Sequence, residues 1–270
     1  MGDFAVTVAI GYQIGAARGE RSILSAMEIP DAELFAAIGR SINDLILRHR
    51  PDLERKRQAT RSESEPKGRW VDGTPEYSLH ICGLRKLFPE ARFVHICRDV
   101  RAVVRSMLNF HRIAGTDLVP NEEKAYKYWL RTVSACMEAE RAYGPSVVYR
   151  TRYADLVDHP EATMRSLLGF LGEAYTAKCL EPLTRRINSS NVPDDFVAED
   201  PATDPTLVDQ ATKLSAQLEA TLQPGEASPA AADALEAEFK QRTQYMAVLE
   251  KTCKEAQRLV RTLEKQIRRV

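Results

Sequence analysis

Several features of metalloproteins, secreted proteins and membrane proteins are missing from this 270-residue chain. Its five cysteines are scattered and odd in number, which argues against a disulfide framework. Neither the cysteines nor the five histidines follow metal-ligand spacing, so we expect no metal site. No apolar run approaches the roughly 20 residues of a membrane-spanning helix. The N-terminus lacks the basic flank of a signal peptide. Together these absences favour a cytoplasmic protein with reduced thiols.

The chain also lacks an excess of charge of either sign. It carries 38 basic and 38 acidic side chains, and this balance argues against a nucleic-acid-binding protein. No Gly-Lys-Ser or Gly-Lys-Thr sequence occurs, which argues against a P-loop kinase. With 44% hydrophobic residues, the chain is long enough for one sizeable domain and an extension.

Short apolar segments alternate with helical patterns along the first 190 residues. Strands are predicted from Phe93 to Cys97 and from Val147 to Arg150. Alternation of this kind predicts an α/β fold, with a parallel sheet and helices on both faces. Helices are predicted in the same region. One begins at Asp31, a second spans Ser78 to Leu87, a third begins after a cap at Asn121, and a fourth spans Pro160 to Leu171.

One strand-to-helix junction carries residues suited to binding a phosphate. Arg98 stands where the first predicted strand ends, and Asp99 is a good N-cap for the helix that follows. Ser106 lies about two turns into that helix, on the same face as Asp99. A guanidinium fork and a hydroxyl can hold one phosphate together. Ligands of parallel sheets bind beyond the carboxyl ends of the strands, where Arg98 is expected. The alternative is a salt-bridged surface arginine and a surface hydroxyl.

These residues resemble the second nucleotide motif of the sulfotransferases that use 3'-phosphoadenosine 5'-phosphosulfate (PAPS). In that family the Arg and Ser bind the 3'-phosphate, which implies this role for Arg98 and Ser106. The resemblance extends through Tyr153-Ala154-Asp155-Leu156, where Ala154 replaces the usual Glu. It covers roughly Trp70 to Val192 and is greater for the bacterial and tyrosylprotein branches. The implied fold is a P-loop-type parallel sheet, with PAPS as co-substrate.

The family's first motif, a glycine- and Ser/Thr-rich loop for the 5'-phosphosulfate, is not found. The segment Phe4–Gly11 is compatible with a strand and turn, or with an apolar helix. The following Gly11–Gly15 segment is a poor phosphate loop because it has no Lys, Ser or Thr. Gly73 stands where the family often has a Lys near the sulfate, and its neighbours are compatible with a simple turn. Two explanations stay open: the chain begins downstream of the missing strand and loop, which would leave the sheet incomplete at its N-terminal end, or the chain is a degenerate relative of the family.

A late polar segment, Leu183–Asn191, resembles the loop that closes over the nucleotide in this family. Its candidate nucleotide-binding residues are Arg186, Ser189 and Ser190. The alternative is an ordinary helix end, where arginine complements the helix dipole and Asn-Ser-Ser forms a turn.

Two functions remain open from the sequence. The resemblance implies a sulfotransferase that moves a sulfuryl group from PAPS to a hydroxyl or amine of a small-molecule, glycan or peptide acceptor. The alternative is a truncated or non-catalytic relative that acts as a coiled-coil assembly module. Glu20, Glu28 and His80 are possible bases, and none is assigned.

The C-terminal part of the chain has a different pattern. We predict an α/β domain over residues 1–192, a linker with one short helix over 193–231, and a coiled-coil helix over 232–270. Two series of positions at heptad spacing run through this segment for about five heptads. Every position in them is apolar except Arg242. Self-association through this helix is the favoured interpretation, and packing against the chain's own domain is the alternative.

Overall fold

The computed structural model describes residues 1–49, 68–184, 192–193, 195–221 and 223–267. These residues are mostly helical, with a small parallel sheet. The α-helices are α1 Gly2–Ala16, α2 Ile23–Ala26, α3 Asp31–Arg48, α4 Ile81–Leu87, α5 Val100–Leu108, α6 His111–Ala114, α7 Glu122–Tyr143, α8 Tyr153–Asp158, α9 Pro160–Leu171, α10 Pro205–Ala220 and α11 Pro229–Ile267. The strands are β1 Phe93–Cys97 and β2 Val148–Arg152, and 3-10 helices span Gly19–Arg21, Pro75–His80 and Ala177–Thr184.

The chain forms two compact units. One comprises Met1–Ala91 with Ala234–Val270, and the other comprises Arg92–Asp233. The second unit contains the sheet and most of the segment that resembles the family motif. The predicted domains 1–192, 193–231 and 232–270 stay a prediction.

The parallel sheet predicted from the alternation of elements is confirmed. β1 and β2 pair in parallel, with Phe93 opposite Val148 and Cys97 opposite Arg152. The two intervening helices and α7 supply the long crossover that parallel pairing requires. Both strands end at the same edge of the sheet, so their carboxyl ends present adjacent side chains there.

Helix starts in the second unit follow the predicted caps. The Asp99 carboxylate accepts a hydrogen bond from the Ala102 amide at 2.9 Å, and Asn121 caps α7 through the Lys124 amide at 3.0 Å. Each side chain satisfies an amide that has no partner within its own helix. The α7 helix ends before Gly144, whose backbone (φ 68°, ψ −177°) lies in a region almost restricted to glycine. This residue turns the chain from α7 into β2.

The core of the second unit joins one face of the sheet to α5, α7 and α10. Although α10 lies inside the segment predicted to be a linker, its residues Ala211 and Leu218 are buried in this core. The predicted short helix is thus present, and it is packed rather than solvated. The other buried members of the cluster are Cys97, Val100, Val104, Met107, Ala125, Tyr126 and Trp129.

The first unit is a separate helical core in which α1 packs against α3 and α4. The Phe4–Gly11 segment lies within α1, so the helix is observed and the strand is not. α3 and α4 approach so closely that a Cβ on Gly39 would lie 1.6 Å from the Leu87 carbonyl oxygen. The helix predicted from Ser78 instead begins as a 3-10 helix at Pro75 and becomes α4 at Ile81. Proline favours an earlier start because its fixed φ suits a first helical turn.

A single long helix, α11, forms the C-terminal segment, as the uninterrupted heptads predicted. Phe239 and Thr243 are buried in the first unit, whereas residues 251–267 are exposed throughout. The helix therefore packs on its own unit near its start and extends away from it later. No helix among the described residues is long and apolar enough to cross a bilayer.

Candidate functional site

The carboxyl edge of the sheet brings together Arg98 and Tyr153. Cys97 and Arg152 are partners at the ends of β1 and β2, so the residues that follow them are neighbours. The Arg98 guanidinium carbon lies 4.7 Å from the centre of the Tyr153 ring, in cation–π contact. Arg98 is exposed and has no carboxylate partner among the described residues. The ring orients a cation that remains accessible to an anionic ligand.

The N-terminus of α5 lies beside Arg98. Its first turn presents backbone amides and the positive end of the helix dipole. Two of these amides have partners: Ala102 donates to Asp99, and Val100 donates to the Ser215 hydroxyl of α10 at 3.2 Å. Ser106 lies in the second turn of α5 and is half-buried. The structure thus places both residues of the predicted phosphate motif on one short strand-to-helix segment.

Arg152 and Asp155 form a second charged pair at this edge. Arg152 donates Nε and Nη2 to the two carboxylate oxygens of Asp155, at 2.7 and 2.9 Å. It also donates to the backbone carbonyl of Glu219 near the end of α10, at 3.1 Å. The hydrogen bond to Asp155 raises the pKa of Arg152. Arg152 is therefore engaged in holding β2, α8 and α10 together, whereas Arg98 faces solvent.

A buried ionic network lies between the sheet and α7. His95 of β1 contacts Glu140 of α7 through Nδ1 at 2.8 Å, and Arg150 of β2 donates Nε to the same carboxylate at 2.9 Å. The Arg150 Nη2 bonds the second oxygen of Glu140. Burial alone raises the pKa of Glu140, but the hydrogen bonds from His95 and Arg150 outweigh it and leave the pKa below its usual value. These hydrogen bonds fix both strands to α7.

The two thiols near this network are chemically unreactive. Burial raises the pKa of Cys97 to about 12, and it does the same to Cys136. Because the thiolate is the nucleophile, thiols this basic are almost fully protonated at neutral pH. Burial therefore disfavours nucleophilic catalysis by either cysteine at neutral pH.

Several sequence candidates are not placed at the site. Arg186, Ser189 and Ser190 lie outside the described residues. Just after them, the Pro193 carbonyl accepts a hydrogen bond from Arg105 of α5 at 3.1 Å. The segment that leaves the late polar loop therefore contacts the helix that carries Ser106.

The residues around Gly73 form a turn. Asp72 accepts hydrogen bonds from the Thr74 amide at 3.0 Å and from the Tyr77 hydroxyl at 2.8 Å. The Thr74 hydroxyl donates to the same carboxylate. Hydrogen bonds from Thr74 and Tyr77 hold the pKa of Asp72 below its usual value. The Asp-Gly-Thr-Pro sequence is therefore a local turn that leads into the Pro75–His80 helix.

Sequence reasoning did not select the residues that organise the edge and its support. Tyr153 was part of the family-like pattern, but its contact with Arg98 follows from strand register and not from spacing. The network of His95, Glu140 and Arg150 was not predicted as a unit, because its members are far apart in the chain. A charged residue within an apolar strand pattern, such as Arg150, was the available indication that a buried partner existed.

Comparison with known proteins gives consistent family matches. The sequence model of the sulfotransferase family matches residues 21–177, more than half of the chain. The chain is 30% identical over 157 residues to protein-tyrosine sulfotransferase 1 of Danio rerio, covering 56% of this chain and 39% of that protein. It is also 30% identical over 105 residues to omega-hydroxy-beta-dihydromenaquinone-9 sulfotransferase Stf3 of Mycobacterium bovis, covering 36% of this chain and 27% of the relative.

The matched region is a part of each relative, since this chain spans 27–39% of the length of these two proteins. Among solved structures, a sulfotransferase domain from the curacin biosynthetic pathway aligns with a TM-score of 0.39 and 19% identity. That alignment covers 58% of this chain and 63% of the other.

Proposed function

Since the chain belongs to the sulfotransferase family, we propose that it transfers a sulfuryl group from PAPS to an acceptor hydroxyl or amine. The observation that supports this most is the exposed Arg98 at the carboxyl edge of a parallel sheet, next to the N-terminus of α5 and in contact with Tyr153. This arrangement suits a phosphate that needs both charge and hydrogen-bond donors.

The residues present fit the 3'-phosphate end of the donor. Arg98 supplies an accessible cation, the N-terminus of α5 supplies a favourable dipole, and Ser106 supplies a hydroxyl from the same helix. The engagement of Arg152 with Asp155 leaves Arg98 to meet the ligand. In this proposal the three groups anchor and orient the nucleotide and take no part in bond making.

The late polar loop completes the nucleotide site in this proposal. Arg186, Ser189 and Ser190 would approach the ligand from the segment that precedes Pro193. The contact between Arg105 and the Pro193 carbonyl supports this, because it brings Pro193, which follows that segment in the chain, against α5. The P-loop-type arrangement of the remaining sheet is part of the same proposal and rests on family membership.

PAPS, when bound, supplies an activated sulfuryl group whose transfer releases 3'-phosphoadenosine 5'-phosphate. The acceptor gives up a proton as its oxygen or nitrogen bonds to sulfur, so the reaction needs a base. Glu20, Glu28 and His80 belong to the first unit, and the base stays unassigned. The two relatives are named for a hydroxylated menaquinone and for protein tyrosine, which favours a hydroxyl on a small molecule or peptide.

We also propose that the protein works in the cytoplasm and associates with itself. The odd number and scattered positions of the five cysteines support a reducing compartment. Self-association is assigned to α11, in which residues 251–267 are all exposed.

Thermal unfolding in the presence of 3'-phosphoadenosine 5'-phosphate tests the nucleotide site. A ligand that binds only the folded state at 100 times its Kd adds about 2.7 kcal/mol of stability. AMP and ADP, which lack the 3'-phosphate, should stabilise less. Arg98→Ala should weaken binding roughly 10- to 100-fold, since it removes a charge-assisted hydrogen bond worth about 1.5–3 kcal/mol.

The matched control is Arg131→Ala, an exposed arginine of α7 in the same unit, which should bind like the unchanged chain. Equal stabilisation by AMP, or full binding by Arg98→Ala, would contradict the assignment. Transfer of labelled sulfate from PAPS to phenolic and amine acceptors then tests the reaction. Binding without transfer to any acceptor would favour the non-catalytic alternative.

A further inference from the structure

The later half of α11 has no packing partner in the described chain. Gln13 of α1 donates to the Thr243 hydroxyl at 3.0 Å, and this contact lies near the end of the packed part of the helix. Beyond residue 250 every described residue is exposed, including Leu259 (61%), Val260 (53%) and Ile267 (75%). A free helix of this length is marginal in water, because most helical stability comes from packing an apolar face.

The apolar residues of this projecting segment repeat at alternating spacings of three and four. Their average period is 3.5, which keeps them on one face only when the helix supercoils around another helix. The surface they form, called the seam here, consists of Met246, Leu249, Cys253, Ala256, Val260, Leu263 and Ile267. The occupant of this face is therefore a helix with the same repeat.

The residue types of the seam indicate a coiled coil of two parallel helices. The spacing assigns Val260 and Ile267 to heptad position a, and Leu249 and Leu263 to position d. β-Branched residues at a with leucine at d favour a parallel dimer over larger assemblies. A second copy of this chain offers the same seam in the same order.

The residues that flank the seam also favour this arrangement. Position e holds Glu250, Gln257 and Glu264, and position g holds Tyr245, Thr252, Leu259 and Gln266. In a parallel, in-register pair each g residue faces the e residue five positions later on the other chain, so no two like charges meet. An antiparallel pair centred on Gln257 would instead set Glu250 against Glu264, and like charges placed together are unfavourable.

We propose that two copies of this chain associate through a parallel, in-register coiled coil formed by residues 246–267. In this arrangement the two Cys253 side chains, each exposed in the single chain, face one another in one a layer. The proposal does not depend on the sulfotransferase reaction, since every residue that carries it lies in α11.

The mass of the full chain under reducing conditions is the first test. Light scattering coupled to gel filtration should give twice the mass of one chain. Val260→Glu should give a single chain, because it places two carboxylates, one from each chain, in one layer of the seam. Thr262→Glu, an equally exposed change at a position outside the seam, should remain a dimer.

Both substitutions lie on exposed positions of the single chain, and near-ultraviolet circular dichroism checks that each variant keeps its packed cores. A single-chain mass for the unchanged protein would overturn the proposal. A dimer that survives Val260→Glu, or a larger assembly, would overturn it as well.

Cysteine cross-linking tests direction and register. Diamide takes up two protons and two electrons as two thiols join in one disulfide. The unchanged chain should form a covalent dimer through Cys253, and Cys253→Ser should lose it. Moving the thiol with Cys253→Ser plus Glu255→Cys should also lose it, because position 255 points away from the seam. Cross-linking at position 255 but not 253 would exclude the parallel, in-register arrangement.

Discussion

Arg98 illustrates how a single exposed cation acquires a specific role. Its position after β1 was predicted from the sequence, but its orientation depends on Tyr153, which follows β2. The neighbouring Arg152 is bound on both sides by Asp155 and by the end of α10. Of these two arginines at one edge, Arg152 is structural and Arg98 is accessible, because only Arg152 has a bidentate carboxylate partner among the described residues.

The contact between Arg98 and Tyr153 should affect nucleotide affinity. An exposed cation–π contact contributes about 0.5–1 kcal/mol, so Tyr153→Leu should weaken binding of 3'-phosphoadenosine 5'-phosphate roughly 2- to 5-fold. Tyr153→Phe keeps an aromatic face and should bind close to the unchanged chain. Isothermal titration calorimetry measures both. If the Phe and Leu variants lose affinity equally, the ring face is not what orients Arg98.

Glu140 should contribute to stability in a pH-dependent way. Its pKa in the folded chain lies below the 4.5 of a free glutamate side chain. The unfolded chain therefore binds the proton more readily, and the contribution is complete above about pH 4.5 and declines as pH falls through the folded pKa. Glu140→Gln should cost roughly 3 kcal/mol at pH 7, because it leaves Arg150 buried without its counter-ion.

Urea unfolding at pH 7 and at pH 4 measures this contribution. The difference in stability between the unchanged chain and Glu140→Gln should be smaller at the lower pH. Glu138→Gln is the matched control, since Glu138 lies on the same helix and is more exposed. A difference that stays constant or grows on acidification would contradict the assigned direction of the Glu140 pKa.

At the scale of elements, helix starts and close contacts have different origins. The caps Asp99 and Asn121 are local, since each side chain bonds an amide three residues later. The contact between α3 and α4 is not local, because Gly39 meets the Leu87 carbonyl from a distant part of the chain. The sequence around Gly39 predicts an ordinary amphipathic helix in which glycine lowers the helix propensity. Only the close packing against Leu87 explains why a glycine stands there.

Gly39→Ala should therefore destabilise the first unit. Its Cβ would overlap the Leu87 carbonyl, and overpacking of this kind typically costs about 1–3 kcal/mol. Gly11→Ala is the matched control, because Gly11 lies in α1 with no atom near the added Cβ. That change should stabilise the chain by roughly 0.5–1 kcal/mol through helix propensity. Chemical denaturation of both variants measures the contrast, and equal effects of the two changes would contradict it.

At the scale of the whole molecule, the two compact units have separate cores. Phe35, Leu87 and Phe239 belong to one cluster, whereas Val100 and Trp129 belong to the other. Among the proposed nucleotide-binding residues, the described Arg98 and Ser106 lie in the second unit, so ligand binding and substitutions in the core of the first unit should act on different parts of the chain.

Hydrogen exchange should separate these responses. Binding of 3'-phosphoadenosine 5'-phosphate should slow exchange in residues 98–108, which include the start of α5, because a bound ligand stabilises the segment it contacts. Gly39→Ala should speed exchange in α3 and α4 instead. Mass spectrometry of peptic fragments resolves both regions. Uniform protection of the whole chain by the nucleotide would mean that the two units respond as one.

The sequence by itself determined the features that depend on neighbours in the chain. Caps at Asp99 and Asn121, the helix over Pro160–Leu171 and the strand before Arg98 were predictable because capping and periodicity act over a few residues. The ordered motif around Arg98 and Ser106 also indicated the sulfotransferase family, since it combines such local signals in sequence order.

Only the tertiary structure decided which distant residues meet. The register of β1 with β2 places Tyr153 on Arg98, and the burial of Glu140 makes an ordinary helix glutamate the counter-ion of Arg150. The same holds for α10, whose polar surroundings suggested a linker but whose buried face completes a core. Register, burial and close packing depend on contacts between segments far apart in the chain, and no local pattern encodes them.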